Sequence, residues 1–210
     1  VRVDHEQFSN DGTIKSRFQL HDGHYIEGVL IPTENRMTAC VSSQVGCSLS
    51  CKFCATGFID RKRNIDFDEI YDQVAIINEQ AQKHFNKPLT NIVFMGMGEP
   101  LLNFGNVFRS VEYITSENGM GMSPKRITIS TAGISKMIKR MADENPKVNL
   151  ALSLHAATDA KRDTIMPINE TNNLKVLTEA LDYYYKTTKN AVTFEYILFS
   201  NVNDSFEDAD

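Results

Sequence analysis

The chain has 210 residues, 41% of them hydrophobic, and a formal net charge of −5, which suits one substantial packed domain. No stretch approaches the ~20 apolar residues of a membrane span. The N-terminus lacks the basic start and apolar run of a secretory signal, so no membrane association and a cytoplasmic setting are expected. With 22 basic against 27 acidic residues, composition argues mildly against a domain devoted to gripping phosphate backbones, although a local basic face stays compatible with it.

The chain opens on Val1-Arg2-Val3 without an initiator Met and reads as a piece of a longer protein. Short alternating segments follow from Thr13 to Pro32. Phe18 and Leu20, then Ile26, Val29, Leu30 and Ile31, flank the turn-forming His21-Asp22-Gly23 and predict an antiparallel hairpin. From Met37 the pattern changes to apolar runs separated by amphipathic stretches. The runs Thr38–Ser42, Asn91–Met95, Arg126–Ser130, Val148–Leu154 and Val192–Phe199 predict five strands. Helical spacing appears at Ile70, Val74 and Ile77, where Asp66 and Glu69 suit a capping box. It recurs at Val107, Val111 and Ile114, at Ile134, Ile138 and Met141, and at Leu174, Leu177, Leu181 and Tyr184. Such alternation implies α/β architecture with a parallel sheet, either doubly wound or part of a barrel. In both, ligands bind at the carboxyl ends of the strands. The cysteines, Gly96–Pro100, Ser130-Thr131 and Ser153-Leu154-His155 all fall there.

All four cysteines lie between positions 40 and 54. A disulfide framework would scatter them, so a metal or redox site is the better reading. Cys47, Cys51 and Cys54 are spaced C-x3-C-x2-C, which lets three thiolates converge on one iron–sulfur cubane and leaves one iron open. Zinc is the competing reading, but a structural zinc site wants four ligands and no second pair exists here. Gly96-Met97-Gly98-Glu99-Pro100 combines close backbone approach with a carboxylate acceptor for an amine. A lone Ser130, Ser153 or His155 at a strand end is more often satisfied by nearby backbone; their shared rim favours ligand contact.

The cysteine spacing, with Phe53 before the last cysteine, resembles the radical S-adenosylmethionine (SAM) superfamily. The resemblance implies one [4Fe–4S] cluster on Cys47, Cys51 and Cys54, with SAM chelating the open iron. It also implies Phe53 near the adenine, and Gly98 and Glu99 at the methionine amino group. Ser130, Ser153, Leu154 and His155 would complete the SAM site.

Longer matches narrow the resemblance. Ile26-Glu27-Gly28-Val29-Leu30-Ile31-Pro32, Cys40-Val41-Ser42-Ser43-Gln44-Val45-Gly46-Cys47, Met95–Asn103, Ser153-Leu154-His155-Ala156, Arg162-Asp163 and Met166-Pro167-Ile168-Asn169 look like the RlmN/Cfr family of RNA adenosine methyltransferases. The implied fold is a partial (β/α)6 barrel preceded by a β-hairpin extension and truncated at both ends. Residues 1–36 would be linker and hairpin, and residues 37–210 the radical SAM core.

The implied activity is methylation of C2 of an adenosine in 23S rRNA and tRNA through a methyl-cysteine. A C8-methylating enzyme or a non-catalytic iron–sulfur RNA-binding regulator are the alternatives. Glu27 matches the general base, and Cys40 the cysteine that resolves the protein–RNA link by forming a disulfide. The methyl-carrying cysteine would lie outside these residues. A flavodoxin-type reductant and a monomer are the family expectations. Lys52, Arg61, Lys62 and Arg63 form the most concentrated basic segment, a candidate for phosphate contact beside the site.

Overall fold

The computed structural model describes residues 1–209. Its strands are β1 (Arg2–Phe8), β2 (Ile14–Gln19), β3 (Tyr25–Pro32), β4 (Met37–Cys40), β5 (Gln44–Val45), β6 (Arg63–Asn64), β7 (Asn91–Phe94), β8 (Ile127–Thr131), β9 (Asn149–Ser153) and β10 (Val192–Glu195). The helices are α1 (Phe67–Phe85), α2 (Phe104–Thr115), α3 (Ser135–Glu144), α4 (Asp159–Ile165) and α5 (Leu174–Thr188).

One eight-stranded sheet runs β1-β2-β3-β4-β7-β8-β9-β10. The pairs from β1 through β4 are antiparallel. Those from β4 through β10 are parallel and strictly sequential. Sequential order without reversal resolves the choice left by the pattern: the parallel half is singly wound, as in a barrel, with no doubly wound switch point. The expected hairpin is β2–β3, closed by backbone bonds from the Leu20 amide to His24 O and from the Gly23 amide to Leu20 O, with Gly23 at φ +84°.

Residues 2–8, expected as linker, form β1. Every side chain of β1 is exposed or only partly buried, so no apolar alternation marked it, and backbone pairing to β2 holds it. Helix α4 was also unforeseen, because its seven residues are too few to display a period.

The core lies between the sheet and helices α1, α2, α3 and α5. Phe18, Ile26 and Leu30 of the hairpin meet Ile70, Val74 and Ile77 of α1, all fully buried. The capping box expected at Asp66 and Glu69 is present. Glu69 also receives Arg63 through two contacts, at 2.6 and 2.9 Å, and His21 at 2.8 Å. Arg63 reaches Asp22 as well, at 2.5 Å. This network ties the hairpin turn and β6 to the start of α1. Arg63 is therefore committed to carboxylates, which corrects its assignment to a phosphate-binding segment. Among the described residues no helix is long and apolar enough to cross a membrane.

Candidate active site

The carboxyl ends of the parallel strands open onto a cavity of about 220 Å³. One wall is the loop between β5 and β6. Gly46 at φ +74° starts this loop, where a Cβ would stand 2.3 Å from the carbonyl oxygen of Asp60. The Cys47 amide donates to Ile59 O at 3.0 Å, and the Lys52 amide to Ile165 O at the end of α4 at 2.9 Å. So folded, the loop presents Cys47, Cys51 and Cys54 to the cavity.

All three thiols are free and partly buried. Burial pushes Cys47 above its usual range and Cys51 up to about 11, with the neighbouring cysteines adding to both shifts. Such a group of mutually opposed would-be thiolates needs cationic charge to hold it deprotonated. Among the described residues, no three His, Cys, Asp or Glu side chains could hold one metal ion. A cubane gives each thiolate its own iron, so it suits three cysteines that share a cavity without meeting at one point.

The opposite wall is the turn after β7. Gly98 has φ +92°, and a Cβ there would lie 2.4 Å from Gln44 Cβ. Gln44 accepts from the Glu99 amide at 2.9 Å, and its own amide donates to Asn64 at 2.8 Å. Glu99 is 3% exposed. Its carboxylate accepts from the amides of Leu101 at 3.0 Å and Ala132 at 2.7 Å. Burial nevertheless raises Glu99 to about 7, the backbone donors only partly offsetting it.

The unfolded carboxyl ionises near 4.5, so between about pH 4.5 and 7 the unfolded chain holds fewer protons than the folded one. Stability should therefore fall as pH rises through that window, by on the order of 3 kcal/mol, and level off above it. Urea unfolding of the metal-free chain at pH 5 and pH 8 measures this. The Glu99→Gln variant should lose most of the slope; an unchanged slope would assign it elsewhere.

Ser130 and Ser153 also line the cavity, and both hydroxyls donate to Oε2 of Glu195, at 2.7 and 3.0 Å. Glu195 closes β10 and lines the cavity itself. It escaped sequence reasoning because the fifth strand was expected to run to Phe199, which hid a carboxylate at a strand end. Phe53 also faces the cavity and packs edge-on against His155 at 4.8 Å. His155 is 4% exposed, and burial lowers its pKa. Its Nδ1 accepts from the Ile197 amide at 3.2 Å, so the neutral ring carries its proton on Nε2.

The remaining expected residues stand outside the lining. Leu154 spends its amide on Glu195 O and its carbonyl on Arg162, while its side chain faces a separate apolar pocket. Cys40 is half-buried on β4, and burial raises its thiol to about 11. Glu27 is half-exposed on β3 and pairs with Lys15 at 2.8 Å.

The family model of the radical SAM superfamily matches residues 41–209. The chain belongs to this superfamily. It is 62% identical over 209 residues to a probable dual-specificity RNA methyltransferase RlmN of Cytophaga hutchinsonii, and 57% identical over 209 residues to one of Christiangramia forsetii. Each alignment takes in 100% of this chain but 57% and 59% of the relative, so the chain spans under two thirds of these proteins. A radical SAM methyltransferase from Sphaerobacter thermophilus superposes on 99% of the chain with TM-score 0.96 and 42% identity; 61% of that chain is covered. The hydrogenase maturase HydG shares the fold alone, at TM-score 0.51 and 15% identity. A [4Fe–4S] cluster and SAM are the cofactors that this membership implies.

Proposed function

We propose that the chain is the catalytic core of a SAM-dependent RNA methyltransferase that modifies C2 of an adenosine in 23S rRNA and tRNA through a methyl-cysteine. The observation that carries this reading is one cavity lined by Cys47, Cys51, Cys54 and the buried Glu99, in a chain 62% identical to a probable RlmN. In this reading the three thiolates hold the cluster. Held there, the cluster would supply one-electron reduction for the reductive cleavage of SAM.

The protein's own groups bind and orient. Glu99, ionised, accepts from the SAM amino group, whose positive charge meets a carboxylate that burial has left short of cations. Ser130 and Ser153, aligned by Glu195, offer hydroxyl and carboxylate oxygens to the polar part of the nucleoside. Phe53 presents an aromatic face to the base, braced by His155. Leu154 contributes through the placement of its backbone between Glu195 and Arg162.

Glu27 serves as the base that removes the adenine proton, for which Lys15 must release it toward the substrate. Cys40 closes the cycle as the resolving thiol. It is half-buried and protonated before reaction, which limits stray oxidation. The reaction needs a second, methyl-bearing cysteine besides Cys40 and the cluster three; the chain's four cysteines do not include one. A cytoplasmic setting and a flavodoxin-type reductant complete the proposal.

The test uses the full-length protein, reconstituted with iron and sulfide and reduced, with a 23S rRNA fragment and tRNA as substrates. Mass spectrometry of the digested RNA should find 2-methyladenosine. Finding 8-methyladenosine, or SAM cleavage with no methylated RNA, would overturn the proposal.

A further inference from the structure

Arg162 is the largest fully buried side chain described, and it stands directly behind the cavity. Its Nη2 donates to Ala132 O at 2.7 Å and Ser153 O at 3.1 Å, and its Nε to Leu154 O at 3.1 Å. The fourth acceptor is Asn169 Oδ1, at 2.8 Å from Nη1. All four are neutral. A buried guanidinium ordinarily meets a carboxylate, because an unpaired buried charge is costly. Here the nearest carboxylates, Asp159 and Asp163, are one residue removed. Both accept from the Asn169 amide, at 2.9 and 2.7 Å, and Asp163 is exposed to water that screens it.

The helix that carries this charge meets the cysteine loop at its other end. Helix α4, which carries Arg162, ends at Ile165, whose carbonyl accepts from the Lys52 amide beside Cys51. Met166, next in sequence, lines the cavity. The three carbonyls that Arg162 holds belong to the ends of β8 and β9, the segments that present Ser130, Ala132 and Ser153 to the ligand.

We propose that Arg162 is a positioning residue that fixes the β8 and β9 ends and supplies, from behind the Cys51 side of the loop, the positive charge that sets the reduction potential of the bound cluster. The proposal rests on the cluster assignment made above. A cluster gains negative charge when reduced, so a nearby buried cation favours the reduced form, and removing it makes the potential more negative.

The experiment compares the reconstituted full-length protein with its Arg162→Gln and Arg162→Lys variants. Iron content and circular dichroism come first, then a redox titration followed by EPR. Absence of iron from the unaltered protein would defeat the cluster assignment itself, separately from this inference.

With iron loaded, Arg162→Gln should need a more negative potential, its reduced fraction falling about tenfold at fixed potential, or about 59 mV for one electron. Arg162→Lys, which keeps the charge but not the fork of donors, should stay near the parent. Equal shifts in both variants, or none in a folded and loaded Arg162→Gln, overturn the inference. If Arg162→Gln does not fold, Asp159→Asn, at the half-buried carboxylate of the pair, carries the test with the sign reversed. It removes a negative charge while leaving an acceptor for Asn169, so the potential should become less negative, and an unmoved potential overturns the inference.

Discussion

Cys51→Ala should take the reconstituted chain from about four irons to almost none, while Cys40→Ala should leave the iron content untouched. The two residues are of one type and eleven positions apart, so the contrast is sharp. Cys51 lines the cavity with Cys47 and Cys54 on a loop pinned at both ends. Cys40 lies on β4 outside that lining. A cubane that loses one of three protein ligands is left with two irons open, and cluster loss follows. Iron assay and the EPR spectrum of the reduced protein read the result. Iron lost equally from both variants would mean that the cluster is not held by the loop trio.

Gly98→Ala should destabilise the chain by about 3 kcal/mol or more and disturb cluster loading, whereas Gly105→Ala should be neutral or slightly stabilising. Gly98 combines a left-handed φ of +92° with a Cβ position 2.4 Å from Gln44 Cβ and 2.8 Å from Gln44 N. Neither atom can swing away, because Gln44 is paired in β5 and bonded to the Glu99 amide and Asn64. Relief would have to come from the turn that carries Glu99. Gly105, in the first turn of α2, has nothing within 4 Å of its Cβ position, and alanine there gains about 0.5–1 kcal/mol of helix propensity. Urea denaturation of the two variants measures the difference. Equal effects would show that the turn after β7 is soft.

Much of the site could be read locally. The cysteine spacing and the G-x-G-E-P turn are contiguous motifs whose chemistry depends on a few bonds of chain, and the structure brings both to one cavity. The parallel strands likewise announced themselves as apolar runs between amphipathic helices. What escaped was non-local. Strand β1 carries no buried side chain, and α4 is too short for a period. Glu195 depended on where β10 stops. Arg162 stood only as part of a motif match, since nothing in Arg162-Asp163 reveals that the guanidinium turns inward to three carbonyls from two other elements.

By itself, then, the sequence determined the strand–helix alternation, the cysteine trio and the carboxylate of Glu99, because periodicity and short spacing are properties of neighbours along the chain. Only the tertiary structure decided that the parallel strands follow one another without a switch, that Arg63 is spent on Glu69 and Asp22, and that Glu195 gathers Ser130 and Ser153. It also decided that Arg162 lies buried behind the cluster loop. These depend on which distant segments meet and which groups are thereby withdrawn from water. A buried charge must find its acceptors wherever the packed sheet places them.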